Sequence, residues 1–167
     1  MVGVQRRRQT MKNSPLQLED YLLSELQFRI LLDLKEIPPS EQDFDALTLQ
    51  VSAKTEKRGR DPRKWRCDLT VRSNPQAKGN FPYAFSIQYT GFFAVIDEFP
   101  LEYVEQMVKT NAPAILYSSA RETLMHLTGR GRLTAILLPS ITFLELPKGE
   151  KLSPPKAKPT KRIARKK

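Results

Sequence analysis

Few side chains in this sequence could do acid–base or nucleophilic chemistry. Among 167 residues there is one histidine, His126, and one cysteine, Cys67. A nucleophile needs a base beside it, and a base needs a partner to orient it. His126 falls late in a helical stretch and off its apolar stripe, which predicts a solvated side chain. Cys67 alternates with Trp65, Leu69 and Val71 and is expected to be a core thiol. A lone cysteine makes no intramolecular disulfide and no cysteine-based zinc cage. No loop spaces Asp and Glu as a calcium site requires. Gly129-Arg130-Gly131-Arg132 follows a helix instead of opening one and lacks the Lys-Ser/Thr close of a phosphate loop. These residues predict no catalysis, no ATP use, no metal and no cofactor.

The net charge of +10 suggests a nucleic-acid partner until it is located. Residues 1–12 hold four basic groups and residues 151–167 hold eight, with no acid in either stretch; residues 13–150 keep 16 basic against 18 acidic groups. The basicity belongs to the ends, so the folded part is near neutral. Residues 1–13 and 149–167 are expected to be disordered basic segments around one domain over 14–148. Met11-Lys12-Asn13 also reads as an alternative start. No apolar run is long enough to span a bilayer and no signal peptide is visible, which predicts a cytoplasmic protein without membrane insertion.

Three segments alternate at the strand period of two. Their apolar faces are Leu47, Leu49, Val51 and Ala53; then Trp65, Cys67, Leu69 and Val71; then Tyr83, Phe85, Ile87 and Tyr89. Polar loops at Thr55–Pro62 and Ser73–Asn80 predict hairpins. Leu16–Leu32 reads equally well as strand or helix. After Gly91 the period changes. Pro100 suits a first helical turn, and Leu101, Val104, Met107 and Val108 repeat at helical spacing. Asn111 and Pro113 predict an interruption. A second helix follows, with Leu116, Ala120, Leu124 and Leu127 on one stripe and Gly129 as its cap. The fold class expected is α+β, with helices packed on one face of an antiparallel sheet.

Seven aromatic residues lie within nineteen positions, from Phe81 to Phe99. Phe92, Phe93, Phe99, Leu101 and Tyr103 fall where the sheet should end and the first helix begin. A two-layer domain cannot easily bury them all, so a partner subunit or a groove is expected there.

Pro113–Thr123 (PAILYSSARET) resembles the segment P-x-I-L-F-P-Y-A-R-E that opens the long helix of the SecB family of protein-export chaperones. Pro113, Ile115, Leu116, Ala120, Arg121 and Glu122 match without a gap. Gly91-Phe92-Phe93 is similar to the family's G-[IV]-F. Gly131, Leu138, Pro139 and Phe143 are similar to its closing G…L-x-P-x-x-F, with the proline one place early. The resemblance implies a four-stranded antiparallel sheet followed by two helices packed on one face, with Leu16–Ile30 as the first strand. It implies an ATP-independent holdase for unfolded proteins, serving export or protecting an antitoxin, and a homotetramer built as a dimer of dimers. Client-binding residues are expected at Phe44, Leu47, Phe92, Phe93, Phe99, Leu101, Tyr103, Met107 and Leu133. The acidic places that dock the SecA motor in exporting members hold Glu25, Arg29 and Ser86 here, so Glu25 alone is the docking candidate. The family's acidic tail is replaced by a basic one. Leu127-Thr128-Gly129-Arg130 is similar to the toxin–antitoxin-associated branch. The competing readings are a nucleic-acid-binding protein using its tails and the basic loop Lys54–Arg66, and a structural subunit of a larger complex.

Overall fold

A computed structural model describes residues 13–31, 49–73, 83–130 and 135–144. Four strands come first: β1 (Leu16–Ile30), β2 (Leu49–Lys57), β3 (Lys64–Ser73) and β4 (Tyr83–Val95). One helix, α1 (Leu101–Gly129), follows among the described residues. The strands form a single antiparallel sheet in the order β1-β4-β3-β2, which puts β3 and β4 at the centre and leaves β1 and β2 as edges.

The period-two pattern is realised in the central strands. Trp65, Cys67, Leu69 and Val71 of β3 and Tyr83, Phe85, Ile87, Tyr89, Phe93 and Val95 of β4 are all buried on the face under α1. The opposite face is polar. There Asp68 accepts hydrogen bonds from Arg66 and from the Thr90 hydroxyl, which also meets Ser24 at 2.8 Å. The β2–β3 hairpin is tighter than the polar run Thr55–Pro62 predicts. β2 continues to Lys57, and Gly59 alone takes a left-handed φ of 75° in the turn.

The ambiguity of the first segment has a structural cause. Register shifts between Leu18 and Asp20 and between Leu23 and Glu25 insert Glu19 and Ser24 as bulged residues. The inward face therefore reads Leu16, Leu18, then Tyr21, Leu23, then Leu26, Phe28 and Ile30. Each bulge turns a spacing of two into a spacing of three, which imitates a helix.

The expected pair of helices is corrected to one continuous helix. Pro113 withdraws a donor from the ladder and costs about 3 kcal/mol in an exposed helix interior. Here it is fully buried, between Ala112 and Leu116 that are also in the core, so packing holds both halves in line. The buried positions Val104, Val108, Ala112, Leu116, Ala120, Leu124 and Thr128 recur every four residues, with Pro113 and Tyr117 beside them. Thr128, not Leu127, ends the stripe; Leu127 is exposed. Gly129 is the last helical residue, and Arg130, in right-handed helical geometry, caps the end.

After α1, residues 135–144 run along it without regular structure. The Thr128 hydroxyl accepts from Ile136 N, Arg121 Nε donates to Leu138 O, and Tyr117 OH donates to Pro139 O. Phe143 then packs edge-on to Tyr117. Three side chains on one helix face thus fasten residues 135–144 as a strap, with Ile136 and Leu138 turned into the core.

Candidate functional site

The strap and the β2 edge enclose an opening in the described surface. A cleft of about 800 Å³ runs between β2, α1 and the strap's end. Val51, Ala53, Lys54 and Thr55 form its strand wall, Phe143 and Leu144 its far end, and Glu102, Glu105, Gln106, Lys109 and Thr110 its helix wall. Glu105 and Lys109 pair at 2.8 Å within that wall, and the lysine holds the Glu105 carboxyl below its ordinary range. Both partners are more than half exposed, so the pair is a rim feature of little energetic weight. The strand wall mixes Val51 and Ala53 with Thr55 and the charged Lys54, and among the described residues its outer backbone edge has no strand beside it in the sheet.

The start of α1 stands next to this cleft. Leu101 is 57% and Tyr103 54% exposed, on either side of the cleft residue Glu102. No side chain caps the helix at Pro100. The loop before it is held instead by Arg63, whose Nη1 donates to Ile96 O at 2.7 Å and Phe99 O at 2.9 Å, and whose Nη2 donates to Asp97 O at 2.7 Å. The Arg63 side chain is only 17% exposed, whereas the Asp97 carboxylate beside it is almost fully exposed, so the three carbonyls define the contact.

The residues singled out in the sequence separate into groups. Leu101 and Tyr103 lie exposed on α1 near the cleft. Phe99 and Met107 are half-buried against the core. Phe93 is corrected to a core residue: it faces α1 with no accessible surface and offers nothing to a partner. Phe92 points to the opposite face of the sheet, half-buried with the Arg58 guanidinium 5.4 Å above its ring. Phe44, Leu47 and Leu133 lie outside the described residues, as do nearly all of 1–13 and all of 149–167. Sequence reasoning placed Val51 and Ala53 on a strand's apolar face but did not mark them, Lys54, Thr55 or Leu144 as the walls of a cleft, because that depends on where residues 135–144 lie against β2. It also missed Arg63, which looks like any other basic loop residue.

Of the groups considered for chemistry, Cys67 is fully buried, and desolvation first, then the neighbouring Asp68, push its thiol up to about 12. It cannot supply a thiolate near neutral pH. His126 is exposed in the last turn of α1. The basic stretch Lys54–Arg66 is largely engaged within the fold. Lys54 pairs with Glu56, Arg58 and Lys64 with Glu19, Arg63 with the loop carbonyls, and Arg66 with Asp68, while Lys57 lies over the Trp65 ring. Glu25 is exposed on the polar face opposite Gln88, accepts from Gln27 Nε2, and shares its patch with Arg29 and Arg72. Arg72 Nε donates to Ser86 Oγ. None of the described helices is long and apolar enough to cross a membrane.

Comparison with known proteins agrees with this architecture. Among solved structures, the chain is similar to the Mycobacterium tuberculosis Rv1957 SecB-like chaperone in complex with a ChAD peptide from the HigA1 antitoxin. The two share 19% identity at a TM-score of 0.50, over 76% of this chain and 91% of that one. A Streptococcus agalactiae protein of unknown function aligns at 10% identity and a TM-score of 0.44, over 75% of this chain and 97% of that one. No curated protein matches the sequence. The family model of the preprotein translocase subunit SecB matches residues 25–151, most of the chain, and the protein belongs to the SecB family.

Proposed function

We propose that the protein is an ATP-independent holdase that keeps non-native polypeptides from aggregating, binding them in the cleft between β2 and α1 and on Leu101 and Tyr103. One observation carries this reading: an open cleft with apolar side chains at Val51, Ala53, Phe143 and Leu144 within a polar rim runs beside a strand edge that is unpaired among the described residues, next to the exposed Leu101 and Tyr103 of α1. An unfolded chain exposes apolar side chains and unpaired backbone groups together. The cleft walls can bury the first, and the edge of β2 can pair the second by strand addition. The nine residues of β2 present about 30 Å of edge. Each large side chain buried there contributes about 1.5–3 kcal/mol, so a few contacts per subunit give useful affinity without sequence specificity.

The second edge supports self-association. Leu18, Tyr21, Leu23, Leu26 and Ile30 on the inward face of β1 are each more than a third exposed. A second copy covering this stripe, within a tetramer built as a dimer of dimers, would remove it from water and multiply weak client sites by avidity. Protection of an antitoxin is the client reading we favour. It rests on the antitoxin peptide held by the Rv1957 chaperone, and on a polar face where Glu25 stands with Arg29 and Arg72 in place of an acidic patch. The nucleic-acid reading has less support, because six of the seven basic residues in Lys54–Arg66 already have partners in the fold.

The test is aggregation of a denatured client at stoichiometric chaperone without nucleotide, with native mass spectrometry of the same sample. Wild type is expected to suppress aggregation as a homo-oligomer, and Ala53→Asp with Tyr103→Asp to lose suppression while keeping the fold. Wild-type protein that gives no protection at several-fold excess refutes the holdase reading. A monomer refutes the role given to the β1 stripe.

A further inference from the structure

We propose that Arg63 is the positioning residue of the client surface: its guanidinium gathers the carbonyls of Ile96, Asp97 and Phe99 and so fixes where α1 begins and how Leu101 and Tyr103 are presented. The proposal rests on the holdase reading for its functional half and on geometry alone for its structural half.

The junction between β4 and α1 must turn the chain from the sheet onto the helix layer within five residues, Ile96–Pro100. Such a turn leaves carbonyls without ladder partners. Three of them converge on Arg63 at 2.7–2.9 Å, lengths typical of charge-assisted bonds. Only the planar guanidinium fork presents enough donors in one plane to reach them together. The base of that fork is itself fixed. Arg63 N donates to Asp61 Oδ1, and Arg63 O accepts from Val95 N. The adjacent Lys64 N donates to Asp61 O, and Trp65 Nε1 to Pro62 O. The side chain therefore spans from a rigid hairpin corner to the loop.

Among the described residues the loop has few other anchors besides Phe99, which packs against the core. Its remaining backbone bonds are Ile96 N to Pro15 O, at its first residue, and a Phe99 N to Ile96 O turn of 3.2 Å. The helix start has no side-chain cap, only Tyr103 N to Pro100 O at 3.2 Å. Without Arg63 the first turn of α1 is free to fray. Leu101 and Tyr103 would then spend part of their time away from the arrangement that binds, and apparent affinity falls by the fraction lost.

The experiment compares wild type, R63A and R63K by three readouts on the full chain. These are amide exchange of residues 97–103 against β3 and β4, thermal stability, and affinity for a reduced and alkylated, permanently unfolded polypeptide. In R63A, exchange at 97–103 is expected to accelerate about tenfold while β3 and β4 stay protected. Client affinity is expected to weaken about five- to tenfold. R63K, which keeps the charge but offers one donor centre for three carbonyls, should fall between, and it keeps the test open if R63A does not fold. Low, non-denaturing guanidinium should restore part of the R63A affinity, which a general loss of stability would not allow. Unchanged exchange at 97–103 overturns the clamp. Accelerated exchange with unchanged affinity overturns the link to binding. Wild type that binds no client overturns the holdase reading, and the exchange data then report on the clamp separately.

Discussion

Gly91 lies on the inward face of β4 directly beneath α1. A Cβ placed there would sit 2.8 Å from Leu116 Cδ2 and 2.8 Å from Phe93 Cε2. Ordinary contacts begin at 3.4 Å, so each neighbour would have to retreat by roughly 0.6 Å. Both are fully buried, so a shift of either means repacking the core around it. Gly91→Ala should therefore cost about 1–3 kcal/mol of overpacking. Removing a glycine from a strand returns about 0.5–1 kcal/mol. The net expectation is a loss of about 1–2 kcal/mol, or a melting temperature about 3–8 °C lower at fixed protein concentration.

The mechanism is tested by a second substitution. Leu116→Ala alone should cost about 2–5 kcal/mol, because it opens a cavity. In the double variant the new methyl group enters the space Leu116 vacated, so the combined loss should be smaller than the sum by about 1–2 kcal/mol. Thermal and urea unfolding of the four proteins measure this directly. Gly91→Ala as stable as wild type, or losses that simply add, would refute the claim that α1 is seated on this glycine.

Two further outcomes follow from buried polar groups. Thr128→Val keeps shape but removes the acceptor for Ile136 N and the donor to Leu124 O, so it should cost about 1–3 kcal/mol. It should also open residues 135–144 to limited proteolysis, whereas Thr128→Ser should not; equal cleavage of all three proteins would count against the strap. Cys67, raised by burial from an ordinary 9.0 to about 12, keeps its proton in the folded state where the unfolded chain loses it. That stabilisation is complete below pH 9 and is lost as pH rises from there toward 12, by about 1.4 kcal/mol per unit. Urea titrations of wild type and Cys67→Ala at pH 8 and pH 10 should diverge accordingly, and parallel curves would contradict the assignment.

The central sheet was readable because β3 and β4 are regular and buried on one face, so their alternation survives intact in the sequence. β1 was not, because the bulges at Glu19 and Ser24 convert strand spacing into helix-like spacing. The break expected at Pro113 followed from its missing N–H, which is a sound rule for exposed helices; burial of Pro113 overrides it here. Arg121 was legible as part of a family motif, but its work, holding the Leu138 carbonyl, appears only once residues 135–144 lie along the helix. Arg63 gave no signal at all. Nothing local in the sequence places the start of β3 beside the loop that follows β4.

The surplus of apolar residues is exposed at Leu101 and Tyr103, where the sequence places it, but not at Phe93, and it extends to the sheet edges. An α-helix with its side chains is about 10–12 Å across, and neighbouring strands lie about 4.8 Å apart. A single helix therefore covers about two strands of a sheet, and this sheet has four. α1 sits over β3 and β4, which is why Phe93 vanishes into the core although it seemed part of an uncovered cluster. The uncovered inward faces belong to the edges instead. On β1 the result is the stripe from Leu18 to Ile30, whose regular apolar face suits another copy of the same surface. On β2 the result is the cleft, where Ala53 and Thr55 leave room that bulkier residues would fill. The described part of the strap covers some of that side, and its Phe143 and Leu144 line one end of the cleft. Among the described residues one helix lies over four strands, so two edges are left to satisfy, and the proposed holding of a client needs one of them open.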